Sequence, residues 1–162
     1  MRTDPAGSWR TLRDDALVAG LAGAALSGVP STLHALWRRA DLLEGALAAG
    51  TLLLRHEDRP GRLLVSATVA HAGLSLGWAT VLAAALPRRA TLRWSLAAGL
   101  GIAALDLGLI GRRFERIRAL DPVPQVADHL GYAITVGVVL RRRRRRRYAA
   151  RQARPMSRKI AG

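Results

Sequence analysis

The sequence predicts an all-α polytopic helical membrane protein with four transmembrane helices and one short interfacial or re-entrant helix. Stretches 16–37 and 63–86 run for 22 and 24 residues without an Arg, Lys, Asp or Glu, and 94–111 runs for 18 broken only by Asp106. A helix needs about 20 mostly apolar residues to cross the hydrocarbon, and three such stretches in 162 residues leave little protein in which to bury them from water. The charge, moreover, sits at one end. Residues 141–162 hold eleven basic and no acidic side chains, whereas the other 140 residues carry a net charge of only +4.

Each element follows from its composition. Residues 1–15 read as a cytoplasmic N-terminal segment. The first span covers 16–37, with Pro30 late in it, where a missing amide N–H kinks or ends a helix. A signal peptide shares the Arg-containing start, but no small-x-small cleavage site follows cleanly and the apolar run continues through Pro30, His34 and Trp37. Stretch 42–54 has only 13 residues and contains Glu44, too short for a comfortable span, hence the interfacial or re-entrant helix. Spans two and three are 63–86 and 94–111. The fourth, 126–140, is short; Asp128 is its expected N-cap and seven consecutive arginines anchor its end. The Arg-rich tail from 141 to 162 is expected to be disordered. The membrane domain is therefore 16–140.

The arginines also set orientation. With four spans and both ends cytoplasmic, 17 basic residues lie inside and 9 outside; a five-span arrangement with the N-terminus outside gives 16 and 10. Eleven positive charges in the tail resist translocation against the membrane potential, which places the C-terminus in the cytoplasm under either count.

Within the membrane, small residues four apart share a helix face and let backbones approach. Gly73 and Gly77 form the most distinctive such pair in an alanine-rich chain, and they are expected to pack helices within the bundle or, alternatively, against a second copy.

Ionisable groups at membrane depth are the candidate functional residues: His34, His71, Asp106, Asp128 and His129, with Glu44 nearby. With loops 38–62 and 112–125 outside, His71 lies about 12 Å in from the outer end of its helix and Asp106 about 7.5 Å, at 1.5 Å rise per residue. The candidates thus fall in one half of the membrane, and His71, Ser75 and Trp78 share one helix face. Histidine and carboxylate together can relay protons or hold a divalent metal. The structural alternatives are an imidazole bonded to a neighbouring helix carbonyl for His71, a hydrogen-bonded carboxylate for Asp106 and a helix cap for Asp128.

Other functions are excluded by what is missing. The absence of cysteine removes disulfides, cysteine-ligated zinc and cysteine nucleophiles. Glycine-rich nucleotide loops and nucleophile-elbow motifs are also missing, so no catalytic residue, cofactor or metal site is assigned. Arg141, Arg142, Arg143, Arg144, Arg145, Arg146 and Arg147 are expected to anchor the chain on anionic lipid headgroups. Nucleic acid is not expected as a partner, because Tyr148 is the only aromatic residue among the charges.

From His71 onward the order of features resembles the YagU-like family of small bacterial inner-membrane proteins. The resemblance rests on the mid-helix His71-Ala72-Gly73-Leu74-Ser75, the helix-ending Pro87 and the Gly/Ala-rich helix around Gly99. It continues through the outer loop Asp121-Pro122-Val123-Pro124 and the final helix opening Asp128-His129-Leu130-Gly131-Tyr132. It covers roughly residues 63–140; the loop after the first helix, here only 38–62, is shorter than some members carry. The resemblance implies a helical membrane fold in the bacterial inner membrane, with His71 and His129 as positions of interest. The expected function is a small non-enzymatic structural or accessory membrane protein. The alternative is an oligomeric transporter or channel component that handles protons or metal through His71, Asp106 and His129.

Overall fold

The computed structural model describes residues 5–153, and among these there are helices and loops but no strand. The elements are α1 (Pro5–Ser27), α2 (Val29–Arg38), α3 (Glu44–Gly50), α4 (Pro60–Ala85), α5 (Thr91–Leu105), a π-helical turn (Asp106–Ile110), a 3-10 turn (Gly111–Arg113), α6 (Glu115–Arg118) and α7 (Pro122–Gln152). Four units are long and apolar enough to cross a membrane: Ser8–Arg38, Pro60–Ala85, Thr91–Arg113 and Pro122–Ala150. The chain is thus an all-α polytopic helical protein. α3 has seven residues, about 10 Å of helix; it cannot cross, and the five-span arrangement does not form.

Prolines set the boundaries. Pro60 opens α4 and Pro122 opens α7, at positions whose N–H would have no intrahelical partner. Leu86, just before Pro87, is extended at φ −66°, ψ 126°, which ends α4. Ahead of α4, the Glu57 carboxylate accepts from the Arg59 and Asp58 amides and from the Arg62 guanidinium. The Arg59 amide foremost, then Arg62, holds that carboxyl below its ordinary range.

At the centre α1 packs on α7; α4 lies against α1, and α5 against α7. Ala19, Leu82, Leu86, Ile102, Tyr132, Val136 and Leu140 form the buried core. Close approach depends on glycines other than the expected pair. A Cβ at Gly23 would stand 2.6 Å from the Tyr132 ring, and one at Gly99 would stand 2.7 Å from the Ala133 Cβ. One at Gly137 would run into the Ser95 side chain and one at Gly50 into the Leu63 carbonyl. Gly73 and Gly77, by contrast, have no atom within 4 Å of a built Cβ. They point away from the other helices, and the expectation that they pack this bundle is corrected.

Both ends of the chain also differ from expectation. α1 begins at Pro5, so residues 5–15 extend the first span as helix, while residues 1–4 lie outside the described residues. At the other end, α7 continues through all seven arginines to Gln152, so the tail is not disordered over 141–152; residues 154–162 lie outside the described residues. Arginine is a good helix former, and three of the seven have partners in the protein. Arg143 Nε donates to Asp15 Oδ1 at 2.6 Å, and Arg147 donates to both oxygens of Asp15. Arg144 donates to the Ala83 and Leu86 carbonyls, each at 3.0 Å, and so caps the C-terminus of α4. Arg143, Arg144 and Arg147 thus form a clamp that joins α7 to α1 and α4. Arg141, Arg142, Arg145 and Arg146 stay exposed on the outer face of the same helix.

Candidate functional site

The first span bends where α1 gives way to α2 at Gly28, two residues before Pro30. The bend leaves the Ser31 amide without a partner inside its own helix, and Asp128 Oδ1 accepts it at 2.8 Å. An unpartnered N–H at membrane depth is costly, so this carboxylate bond stabilises the kink. Asp128 is therefore not the N-cap of the last helix. That position belongs to Asp121, which accepts from the Val123 amide at 2.9 Å and starts α7 seven residues earlier.

The bend opens a cavity of about 1200 Å³, lined by α2, α3, α4, the π-helical turn and the first three turns of α7. His34, His71, Asp106, Asp128 and His129 all line it, as do Glu44, Ser75 and Trp78. Along α7 it extends from Asp121 to Tyr132, about 16 Å at 1.5 Å per residue and roughly half the hydrocarbon thickness. Tyr132 closes its deep end by donating to the Ser75 carbonyl at 2.5 Å. The cavity is a blind vestibule at the end of the bundle away from the arginine clamp. Tyr132→Phe is expected to cost about 1 kcal/mol, the net worth of one buried hydrogen bond, measured by equilibrium unfolding in mixed micelles; an unchanged midpoint would show that the bond adds nothing.

The candidates occupy four centres in the cavity wall, not one cluster: Asp128 on the Ser31 amide, and the three that follow. At the mouth, His34 Nε2 is 3.5 Å from Asp121 Oδ2, and its ring meets Trp37 edge-on at 6.1 Å between centroids. On α4, His71 Nε2 is 3.0 Å from the Ala24 carbonyl and 3.4 Å from Ser27 Oγ. A carbonyl only accepts, so Nε2 carries the proton there, and His71 bridges α4 to α1 as the structural alternative anticipated. The last centre pairs His129 with Asp106. His129 Nδ1 donates to the Gln125 carbonyl at 2.8 Å, while Nε2 lies 3.3 Å from Asp106 Oδ2. With Nδ1 directed at the Gln125 carbonyl, Nε2 is the ring nitrogen that faces the Asp106 carboxyl. Asp106 reaches this position because it opens the π-helical turn, a wider coil that rotates side chains relative to an α-helix.

No three His, Asp or Glu side chains converge closely enough to hold a metal ion among the described residues. The serines near His34 do not form a nucleophile–base pair: Ser31 Oγ donates to the Gly28 carbonyl at 3.2 Å, and Ser27 Oγ lies near Ala24 and His71. Around the mouth, Glu44 of α3 pairs with Arg116 of α6 at 3.3 Å. Arg55 donates to the Arg113 carbonyl at 2.8 Å and lies over the Phe114 ring. These contacts hold the two outer loops together.

Sequence reasoning did not single out Asp121, Tyr132 or Asp15. Asp121-Pro122 is a cap-and-N1 signal that placed the helix start correctly had it been weighed against Asp128. Asp15 fell just outside the apolar window, though an acid there faces the arginine run once the helices are antiparallel.

The fold and the cavity together define a multi-pass helical membrane protein with a polar, blind vestibule in one half of the bundle. No protein-family model, curated protein or solved structure matches the chain.

Proposed function

We propose that this chain is a small non-enzymatic membrane protein that works as a ligand-binding or transport component through the vestibule, with Asp106–His129 as its proton-holding pair. What carries this reading is that all five intramembrane His and Asp candidates line one cavity that ends at mid-membrane depth. A protein with a purely structural role has no need to assemble costly ionisable groups around an open space. The handling of metal by His71, Asp106 and His129 has no converging ligand set behind it, which leaves protons as their currency. The positive-inside rule puts the arginine end in the cytoplasm and the vestibule on the outer face of a bacterial inner membrane. Arg141, Arg142, Arg145 and Arg146, exposed at that end, suit anionic headgroups. Gly73 and Gly77, open on α4, offer a second copy a close approach.

The missing cysteines make the test direct. Single cysteines at Ala35, Ala46 and Ala49 line the vestibule at partly exposed positions, whereas Ala19 and Ala133 are fully buried between helices. A small impermeant thiol reagent added to intact cells is expected to label the first three and spare the other two. Labelling only after permeabilisation would invert the orientation, and no labelling at all would show that the cavity is closed to water and remove the proposal.

A further inference from the structure

The vestibule wall is mostly apolar, and its charged groups are arranged by depth. Arg38, at the end of α2, is the one arginine among its described lining residues. It lies seven residues beyond Ser31, about 10 Å toward the mouth. Deeper in, the formally charged groups are Asp106 and Asp128. Asp106 has His129 as its partner. Asp128 has the Ser31 amide, and among the described residues no arginine forms an ion pair with it. Trp78 and Tyr132 stand at the floor. On α4 the lining residues Val69 and Leu74 are exposed at bilayer depth, so the cavity wall runs out to the face that lipid covers.

Each property selects against a class of ligand. An anion would meet the Asp128 carboxylate deep in the cavity, with Arg38 about 10 Å nearer the mouth. A small hydrophilic cation would leave the apolar wall unused. An apolar body carrying one positive charge fills the wall, neutralises Asp128 where the surrounding dielectric is low, and brings its apolar groups against the floor residues Trp78 and Tyr132.

Resting on the reading of the vestibule as the working site, we infer that it binds lipophilic monovalent organic cations, with Asp128 as counter-ion and Trp78 and Tyr132 as the aromatic floor. Tetraphenylphosphonium and tetraphenylborate, nearly the same shape with opposite charge, are the probes. In equilibrium dialysis against the purified full chain in neutral detergent, the phosphonium is expected to bind saturably, and the borate at least tenfold more weakly. Asp128→Asn keeps an acceptor for the Ser31 amide but removes the charge, and should weaken phosphonium binding at least tenfold. Glu57→Gln, which removes a carboxylate outside the cavity, should leave it unchanged. Equal binding of the two ions by the unmodified chain, or unaltered phosphonium binding by a folded Asp128→Asn, would overturn the inference. Cysteine labelling of the vestibule without saturable phosphonium binding would also overturn it, while leaving the vestibule itself standing.

Discussion

Replacing Arg143 and Arg147 together by alanine is expected to cost about 3 kcal/mol, the scale for stripping the partner from a buried charge. Asp15 is 5% exposed, and the two arginines are its ion-pair partners. Without them its carboxylate must stay ionised and unpaired, take up a proton, or pull α1 away from α7. The reverse change is milder. Asp15→Asn leaves two arginines whose side chains are each about one-third exposed, and long cationic side chains at a helix end can snorkel to water. Adding Asp15→Asn to the double alanine variant should therefore recover most of the loss. Equilibrium unfolding in mixed micelles gives these values, and Arg141→Ala/Arg145→Ala, on the exposed face, is the control expected near zero. If the control costs as much as the inner pair, the arginines act as a general charge and the clamp is not what stabilises that end.

Gly23→Val should disrupt the bundle, whereas Gly73→Val should fold nearly as well as the unmodified chain. The Gly23 Cβ position already lies within 3.1 Å of both Tyr132 and Val136, and neither has room to retreat: Tyr132 is tied to the Ser75 carbonyl and Val136 is fully buried. Overpacking of this kind typically costs 1–3 kcal/mol, and here it acts on the central contact between α1 and α7. At Gly73 a Cβ has no atom of another helix within 4 Å. Folded yield after size-exclusion chromatography, with the unfolding midpoint of what survives, separates the two. A Gly73→Val chain that folds but changes its apparent mass would identify the α4 face as a contact between copies. Equal losses for both glycines would mean that the α1–α7 contact is not the tight one.

Hydropathy made the number of spans and the polar candidates legible because both are properties of one helix at a time. Which face of a helix meets a neighbour is a property of pairs, and there the reading failed in a consistent way. Gly73 and Gly77 stood out as the neatest spacing, yet the glycines under pressure are Gly23, Gly99 and Gly137, each opposite a particular side chain on another helix. Asp128 was read as a cap because it opened the apolar window; its partner is the Ser31 amide, 97 residues away in sequence, freed by the Pro30 bend. The arginine run was read as charge alone. A helix divides it: 143, 144 and 147 fall on the inner face, and 141, 142, 145 and 146 on the outer. The gathering of the five candidates around one cavity was foreshadowed by their common depth. Their separation into four bonded centres was not, since depth says nothing about azimuth.

The clamp also imposes an order on manufacture. Asp15 belongs to α1, and the guanidinium groups that satisfy it are encoded 128 and 132 residues later. Until the last helix arrives, the newborn chain holds an orphaned carboxylate in its first span and uncapped carbonyls at Ala83 and Leu86, both of which Arg143, Arg144 and Arg147 then satisfy together. Without residues 143–147, α1 is left with an unpaired carboxylate and α4 with an uncapped C-terminus at the same end of the bundle.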